Sequence, residues 1–392
     1  MLPTLLVLSA ILLLALLPTC YIRYVLWKPC SKRGRLICWL PFAFFVVVLV
    51  LTMWLVYYAA FLRLFTFIMT CVLFPVLVFT SVSAVGWLLA RKWRKAFRWA
   101  NYIGCGMSAV ALVMMLYGTF FGWRQLTVKQ VDLYLENLPA QFDGYRIAQL
   151  TDLHVGMHGG CIGFIERVVE QTNEQQPDMI VFTGDLVNLS ADEITPYEPV
   201  LSRLSAPDGV YSVLGNHDYC QYGFNKSRQQ EEENLLRLQE TERRMGWQLL
   251  VDEHRLITRD SSVIALAGVG NISKSPYIHA GNLQQALDGL PDSVFTVLLS
   301  HDPNHWRMEV LEQSSVPLML SGHTHAAQFK IGCFSPAAFS YREWSGLYED
   351  TTHPSSFAAH RYLFVSEGLG GTFAFRLGAS PQIVVFTLHR AQ

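Results

Sequence analysis

Residues 145–154 read YRIAQLTDLH, in which the apolar run Tyr145–Leu150 ends abruptly in Asp152 and His154. The same pattern of a short apolar run that ends in Gly, Asp, Asn or His recurs at Met179–Thr183, Val210–Leu214, Phe295–Leu299 and Val316–Leu320. Such runs predict buried strands. Between the first two, Ile162–Gln176 has apolar residues at helical spacing, so we predict strand-helix-strand units in a layered α/β domain.

The polar residues at these strand ends are candidate metal ligands, because ligands collect outside the carboxyl ends of strands in α/β folds. Carboxylate, amide oxygen and imidazole suit Mn, Fe or Zn. Enough candidates are present for two metals that share a carboxylate: Asp152, His154, Asp185, Asn216, His301, His323 and His325. The glycines before Asp185, Asn216 and His323 are expected to allow the sharp turns that aim these ligands, since Gly tolerates backbone angles that other residues avoid.

Seven other histidines are interpreted as structural or surface groups: His158, His254, His279, His305, His353, His360 and His389. Residues 124–142 are interpreted as a connector with an edge strand at Gln130–Leu135, and the charged segment 229–245 as a solvated helix packed on one side. Three cysteines of the soluble half, Cys161, Cys220 and Cys333, leave open whether one disulfide forms.

Five ordered motifs resemble those of the calcineurin-like metallophosphoesterase family across residues 143–392. The motifs are Asp152-Leu153-His154, Gly184-Asp185-Leu186-Val187-Asn188, Gly215-Asn216-His217-Asp218, Ser300-His301 and Gly322-His323-Thr324-His325. The resemblance implies a four-layer αββα sandwich that carries two divalent metal ions. It also implies the hydrolysis of a phosphoester by metal-activated hydroxide.

The resemblance implies a role for each matching residue. One metal would be held by Asp152, His154 and His325, the other by Asn216, His301 and His323, and Asp185 would bridge both. His217 would stand beside the leaving group as a general acid or a donor to the phosphoryl oxygens. Two cations about 3.5–4 Å apart make hydroxide available from a shared water near neutral pH and clamp the oxygens of the phosphoryl group.

One position departs from the family pattern. Many members have an acid that orients the catalytic His where this chain has Asn188, which cannot stabilise an imidazolium by charge. Either His217 is a weaker acid here, or Asp218 takes over the role, or the leaving group needs little protonation.

The charge of the chain divides it into two unlike parts. Residues 1–124 contain twelve Lys or Arg and no acid, whereas residues 125–392 contain eighteen bases and thirty-one acids, a net charge of −13. Nucleic-acid affinity comes mainly from basic side chains that displace counterions. We therefore exclude nucleic acid as the substrate of the acidic part.

The basic part contains four nearly uncharged stretches: 2–22, 36–62, 64–90 and 99–123. Each is long enough to cross the membrane as a helix, which takes about 20 residues. Arg63 is the only charge between residues 36 and 90, so the second and third stretches must form a tight hairpin, whose boundary the sequence leaves open. The predicted organisation is a four-helix transmembrane region (1–123), the connector and a metallophosphoesterase domain (143–392), an arrangement that resembles the membrane-bound branch of the family.

The basic residues of the loops predict the orientation, because cytoplasmic loops retain Lys and Arg. Five bases lie between the first two spans (Arg23, Lys28, Lys32, Arg33 and Arg35) and five between the last two (Arg91, Lys92, Arg94, Lys95 and Arg98). Both termini are then outside. The expected localisation is the plasma or inner membrane, with the catalytic domain on the extracytoplasmic side.

The segment Phe329–Phe357 is rich in aromatic residues without a clean helix or strand period, and it predicts a long ordered loop. Its rings either cover the edge of the sandwich or meet the membrane interface, which Trp and Tyr favour. In the second case Trp344 and Arg342 would contact an amphiphilic phosphorylated substrate, since the guanidinium fork suits phosphate. Membrane lipids are then the expected partners.

Three classes of function remain open from the sequence. The leading one is a membrane-anchored hydrolase of a phosphomonoester, phosphodiester or pyrophosphate. The second is a metal-binding receptor or scaffold without turnover, which the complete ligand set and His217 disfavour. The third is a transporter with a regulatory soluble half, which the spans disfavour because they contain no Asp, Glu or His to mark an ion pathway.

Overall fold

The chain forms two compact units, Met1–Phe121 and Gly122–Gln392, in a computed structural model. The structure describes residues 2–27, 31–54, 59–222, 227–274, 278–353, 355 and 357–391.

The first unit is helical. Its helices are α1 (Leu2–Tyr21), α2 (Lys32–Ile37), α3 (Leu40–Trp54), α4 (Ala59–Phe67), α5 (Phe74–Leu89) and α6 (Ala96–Phe120). A π-helical turn, Ile22–Leu26, extends α1, and another, Ile68–Leu73, joins α4 to α5. Within the described ranges, four continuous helical stretches are long and apolar enough to cross a membrane: Leu8–Leu26, Lys32–Thr52, Phe61–Leu89 and Ala96–Arg124.

Arg63 does not separate the second span from the third, since the third begins at Phe61. Arg63 lies inside α4, and residues 55–58, which separate α3 from α4 in the sequence, fall outside the described part. Lys28, which contributed to the predicted orientation, also lies outside it. A single charge in an apolar stretch need not mark a loop, because long basic side chains can reach a polar boundary from within a helix.

Helices α5 and α6 pack closely through small residues. A Cβ added at Gly86 would lie 2.1 Å from the Cβ of Ala100, so only Gly permits this approach. Ser108 donates a hydrogen bond to the carbonyl of Pro75 at 2.8 Å, and buried Ser83 donates to Asn101 Oδ1 at 2.5 Å. Small-residue contacts and interhelical hydrogen bonds are the interactions that hold helices together in lipid.

The described residues of the second unit form twelve strands in two sheets. The strands are β1 (Thr127–Leu135), β2 (Tyr145–Leu150), β3 (Met179–Phe182), β4 (Val210–Ser212), β5 (Gln248–Leu249), β6 (Glu253–Arg259), β7 (Ser262–Gly268), β8 (Thr296–Leu299), β9 (Leu318–Ser321), β10 (Gly346–Asp350), β11 (Arg361–Val365) and β12 (Gln382–Arg390). Their order is β1-β12-β2-β3-β4-β5 in one sheet and β10-β11-β9-β8-β7-β6 in the other. Strands β2 to β5 pair in parallel, as do β7, β8, β9 and β11.

Helices cover the outer face of each sheet. They are α7 (Ile162–Glu174), α8 (Glu198–Leu201), α9 (Arg228–Arg244), α10 (Leu283–Ala286) and α11 (Leu311–Gln313). Ile147 and Val181 of the first sheet share one buried cluster with Leu266 and Val297 of the second. Two further clusters join the sheets to α7, α8 and α9 and to α10 and α11. The unit is therefore the predicted four-layer αββα sandwich.

The described elements agree with most predicted ones and correct two. The five strands that precede the motifs are β2, β3, β4, β8 and β9, and the helices predicted at 162–176 and 229–245 are α7 and α9. The edge strand predicted at Gln130 begins at Thr127. The segment Phe329–Phe357, predicted as a long loop, contains strand β10, which pairs with β11. Cys161 and Cys333 are free thiols, and buried Cys220 donates from Sγ to the carbonyl of Asp218 at 3.4 Å.

Candidate metal centre

The polar motifs follow the carboxyl ends of strands that are neighbours in their sheets. Asp152 and His154 follow β2, Asp185 follows β3, and Asn216 follows β4 in the first sheet. His301 follows β8 in the second sheet, and His323 and His325 follow β9. Parallel pairing brings the ends of such strands to one edge, so residues far apart in the chain converge there.

Four of these residues form one group of potential ligand atoms, all within 4.8 Å of one another: Asp152, His154, Asp185 and His325. His154 Nε2 lies 3.2 Å from His325 Nε2 and 3.5 Å from Asp185 Oδ2. His325 Nε2 lies 3.5 Å from Asp152 Oδ1. All four residues are buried. Two imidazoles and two carboxylates at this spacing suit a divalent transition metal.

Asp185 belongs also to a second group, with His301 and His323. Its Oδ2 lies 3.1 Å from His301 Nε2, and His301 Nε2 lies 3.2 Å from His323 Nδ1. His301 Nδ1 donates to the carbonyl of Thr183 at 2.8 Å, which leaves Nε2 as the ligand atom. One carboxylate shared by two ligand groups is the arrangement that a pair of metals needs.

Asn216 has a side-chain oxygen that is buried and lacks a hydrogen-bond partner among the described residues. Its amide nitrogen donates to Tyr222 Oη at 2.8 Å, so the oxygen is the atom available to a ligand. A buried acceptor without a partner costs free energy, about 1–3 kcal/mol, which a cation would recover. Asn216 therefore fits the metal-ligand role that the family resemblance implies.

The backbone of the ligand loops is strained. Asp152, His154, Asp185, His323 and His325 have φ between +46° and +73°, in the left-handed region that costs a non-Gly residue about 1–2 kcal/mol. The strain continues past the last ligand, since Ala326, Ala327 and Gln328 have φ of +48°, +50° and +56°. Gln328 Nε2 donates to two carbonyls, those of Phe373 and Phe375, at 2.8 and 2.6 Å and stabilises this left-handed turn.

The glycines before Asp185, Asn216 and His323 mainly allow neighbouring side chains and backbone to approach closely, and only one of them needs an unusual backbone angle. Only Gly184, with φ +94°, has the backbone conformation expected of all three. A Cβ on Gly215 would lie 2.3 Å from Asp185 Oδ1, and a Cβ on Gly322 would lie 2.2 Å from Asp152 Oδ2. The ligands adopt the strained angles, and the glycines leave room for the carboxylates.

Protonation in the cluster favours metal binding. Burial holds the pKa of His154, His323 and His325 below the usual value, so these imidazoles are neutral. Burial alone would raise the pKa of Asp185, but the surrounding histidines, above all His301, outweigh it and hold that pKa well below the usual value. Neutral imidazole and ionised carboxylate are the forms that bind metal.

Burial, reinforced by the charge of Asp185, raises the pKa of Asp152 to about 6. His301 is the exception among the imidazoles: burial lowers its pKa, but the Asp185 carboxylate outweighs burial and raises it to about 10. A metal at this place would therefore displace a proton from His301.

Asp218 does not replace the missing acid. Its carboxylate accepts backbone N–H groups of Asp185 at 2.7 Å and Gly215 at 2.9 Å through Oδ2, and of Leu186 at 2.8 Å and Val187 at 3.2 Å through Oδ1. All these hydrogen bonds go to the two ligand loops. Asp218 thus fixes the position of Asp185 and is a positioning residue.

The imidazole of His217 is oriented by a backbone carbonyl. Its Nδ1 donates to the carbonyl oxygen of Asn188 at 2.8 Å, and the backbone N–H of His217 donates to Asp185 Oδ1 at 2.8 Å. The side-chain oxygen of Asn188 is buried without a partner in the described structure. The backbone carbonyl of Asn188, and not its side-chain amide, therefore orients the imidazole.

Two residues that the motifs did not reveal support this arrangement. Glu193 accepts the N–H groups of Asn188 at 2.7 Å and Leu189 at 3.0 Å, which fixes the turn whose carbonyl holds His217. Tyr341 Oη lies 2.8 Å from His323 Nε2 and so directs the Nδ1 lone pair of His323 toward the cluster. Tyr341 lies in the aromatic segment, which was the only signal in the sequence.

The two predicted substrate contacts are not among the clustered residues. Arg342 has a side chain that is 76% exposed, with Nε 3.7 Å from Glu343 Oε1. The backbone carbonyl of Trp344 accepts from Thr324 Oγ1, between the two ligands of that loop, at 2.6 Å. Trp344 thus anchors the aromatic segment to the ligand loop through its backbone.

The seven histidines expected to be structural lie outside the two ligand groups found among the described residues. Buried His158 stacks on Phe164, and buried His305 bonds Ser300 Oγ at 2.9 Å. The others contact carbonyls or acids at the surface.

An αββα sandwich with a buried Asp/His cluster at the carboxyl ends of its strands defines the class of metal-dependent phosphoesterases. The family model for calcineurin-like phosphoesterase matches residues 145–327, and with the relative described next, this shows that the chain belongs to that family.

The chain is similar to the uncharacterized metallophosphoesterase YkuE of Bacillus subtilis, with 30% identity over 261 residues, which cover 64% of this chain and 81% of that protein. It is also similar to the transmembrane protein with metallophosphoesterase domain of Danio rerio, with 27% identity over 266 residues. That match covers 65% of this chain and 58% of the relative. Among solved structures, a dimetal phosphatase from Danio rerio matches at 13% identity with a TM-score of 0.35, covering 58% of this chain and 88% of that one.

Proposed function

We propose that the second unit hydrolyses a phosphoester with two divalent metal ions, bound by Asp152, His154, Asp185, Asn216, His301, His323 and His325. The observation that carries the proposal is the membership of Asp185 in both ligand groups. Bound there, the metals supply Lewis acidity and a water acidic enough to act as the nucleophile near neutral pH.

The residues of the chain have separate tasks in this reaction. His217, held through Nδ1 by the Asn188 carbonyl, keeps Nε2 for the substrate and, when protonated, donates from that atom to the leaving oxygen. Asp218 and Glu193 fix the two loops on which Asp185 and His217 depend. Burial of the cluster excludes bulk water and strengthens the electrostatic interactions of its charges.

The helical unit serves as the membrane anchor in this proposal. Four described helices have the length and composition of spans, and the Danio rerio relative is named a transmembrane protein. The basic loops support an extracytoplasmic orientation of the catalytic unit, at a plasma or inner membrane, because cytoplasmic loops retain Lys and Arg. Reporters that work on only one side of the membrane, fused after Gln392, test this, and an active cytoplasmic reporter would reverse the orientation.

The proposed substrate is amphiphilic, such as a lipid-linked phosphate or pyrophosphate. An anchored catalyst gains effective concentration only for substrates that share its membrane. The acidic character of residues 125–392, with thirty-one acids and eighteen bases, disfavours nucleic acid. The aromatic segment that supplies Tyr341 beside His323 supports an apolar approach to the site.

The test compares three alanine variants of the full chain in detergent. Asp185→Ala is expected to lose both bound metal and hydrolysis of an aryl phosphate. His217→Ala is expected to keep the metal and lose about 100- to 10,000-fold in rate. The control is His360→Ala, because His360 is an exposed residue that contacts Glu349 away from the ligand groups.

Elemental analysis and kinetics separate these outcomes. Two metals retained in Asp185→Ala, or full activity in His217→Ala, would disprove the assignment. Two metals bound by the wild-type chain without hydrolysis of any phosphoester would favour a metal-binding receptor.

A further inference from the structure

The turn after the metal ligands exposes a contiguous group of apolar side chains, which we call the apolar tip (residues 331–339). Ile331 is 53% exposed, Phe334 49% and Phe339 82%. Ile331 and Phe334 pair across a tight turn through hydrogen bonds of 2.9 and 3.1 Å. The rings of Phe334 and Phe339 meet edge to face with centroids 6.1 Å apart. Cys333, also exposed, lies within the same turn.

The apolar tip is a built structure, so its exposure does not come from a loose loop. Ser335 is fully buried, donates to the carbonyl of Ala326 at 2.6 Å and accepts the N–H of Ala337 at 3.1 Å. It caps the short 3-10 turn Pro336–Phe339, in which buried Ala337 faces inward. The chain thus orders this segment with its large apolar side chains outward, which costs hydration free energy in water.

The local charge differs from that of the rest of the unit. Residues 329–342 contain Lys330, Arg342 and no acid, whereas residues 125–392 carry thirty-one acids and eighteen bases. Lys330 is paired with Glu367 at 2.5 Å. The side chain of Arg342 is 76% exposed, and its ion pair with Glu343 is long, at 3.7 Å, because Arg307 binds the same carboxylate oxygen at 2.7 Å. Exposed apolar rings beside an exposed guanidinium match a lipid interface, with its apolar interior and phosphate-bearing surface.

We infer that the apolar tip inserts into the surface of a lipid bilayer. The apolar helices of the same chain would keep a bilayer near the second unit, because the last of them ends at Phe120 and the first strand of the second unit starts at Thr127. Insertion would bury Ile331, Phe334 and Phe339 and leave Arg342 at the level of the phosphates. Single exposed apolar residues are ordinary on protein surfaces, but a contiguous group presented by a buried scaffold marks an interaction site.

The apolar tip is coupled to the metal centre on both sides. Ser335 binds the carbonyl of Ala326, next to the ligand His325, and Tyr341 binds His323. A phosphorylated lipid in the same bilayer would therefore meet the ligand loop through the segment that holds His323. This consequence for catalysis rests on the proposed function, whereas the insertion itself does not.

The test places a polarity-sensitive fluorophore on Cys333 of the full chain in nanodiscs of phosphatidylcholine and phosphatidylglycerol. Cys105 and Cys161 are replaced by Ser, and the same chain with Cys333→Ser measures labelling elsewhere. We expect blue-shifted emission and quenching by lipids with a nitroxide near the headgroup. Both signals are lost in Phe334→Ser/Phe339→Ser and kept in Leu256→Ser, a control that removes an equally exposed residue (54%) from strand β6.

Three results would overturn the inference: no lipid quenching in the parent chain, equal quenching in the double serine variant, or a shift that vanishes when each disc holds one chain. The last result would show that a second copy of the chain, and not lipid, covers the apolar tip. Hydrolysis of a soluble aryl phosphate, measured in the same discs, should be equal in the parent and the double variant. If the parent hydrolyses no phosphoester with any divalent metal, the proposed function fails while lipid quenching still decides the insertion.

Discussion

Gly215→Ala tests whether the close approach of two loops sets the position of the shared carboxylate. A Cβ at this position would lie 2.3 Å from Asp185 Oδ1 and 2.5 Å from the Asp185 backbone nitrogen, against 3.4–4 Å for ordinary contact. The loops must therefore separate by about 1 Å, a displacement that can cost about 100-fold in rate. The accompanying loss of stability is about 1–3 kcal/mol, as for other overpacked sites.

The effect is steric, because Gly215 is not among the residues with positive φ. The expected result is weaker metal binding and a rate about 100-fold lower, with the fold retained. Metal content by elemental analysis, hydrolysis of an aryl phosphate and a thermal melt of the full chain measure the three quantities. The matched control is Gly163→Ala, at a position in helix α7 where an added Cβ meets nothing within 4 Å. Full metal content and full rate in Gly215→Ala would refute the reasoning.

Two further predictions concern buried side chains. Burial raises the pKa of Glu242 from 4.5 to about 8, so the native state keeps a proton that the unfolded chain releases, and stability falls as the pH rises between these values. Glu242→Gln should remove this part of the pH dependence of the free energy of unfolding, at most about 1.4 kcal/mol per pH unit. Denaturant unfolding at several pH values measures it, and the same dependence on pH in the variant and the wild type would contradict the prediction. Tyr341→Phe should weaken metal affinity about 10- to 100-fold by removing the oxygen that fixes His323; calorimetric titration of the metal-free chain checks this, and equal affinity would show that the hydrogen bond is dispensable.

The metal ligands could be predicted because their signal is local. Each follows an apolar run that must be a buried strand, and parallel strands bring their ends together whatever lies between them. The four layers followed from the same alternation and from the family resemblance. The sequence left the boundary between the second and third spans open, because Arg63 is the only charge there and lies inside a helix. The prediction failed at Gly346–Asp350, where β10 depends on its pairing with β11.

The supporting contacts could not be predicted, since they join segments that only the fold brings together. Asp218 binds N–H groups more than 30 residues earlier in the chain. A carboxylate one residue after His217 suggests a catalytic partner when only the sequence is considered. Strand β12 at the end of the chain lies between β1 and β2, and no local pattern indicates that insertion.

The left-handed turn from His325 to Gln328 has a consequence for protein engineering. Ala327 is exposed and has φ +50°, so Gly at this position would relieve about 1–2 kcal/mol of backbone strain. A laboratory selection for heat resistance alone would accept that change and loosen the turn that follows His325. Selected chains would then melt at higher temperature and bind metal less tightly, because the strain that lowers stability also preorganises the ligand.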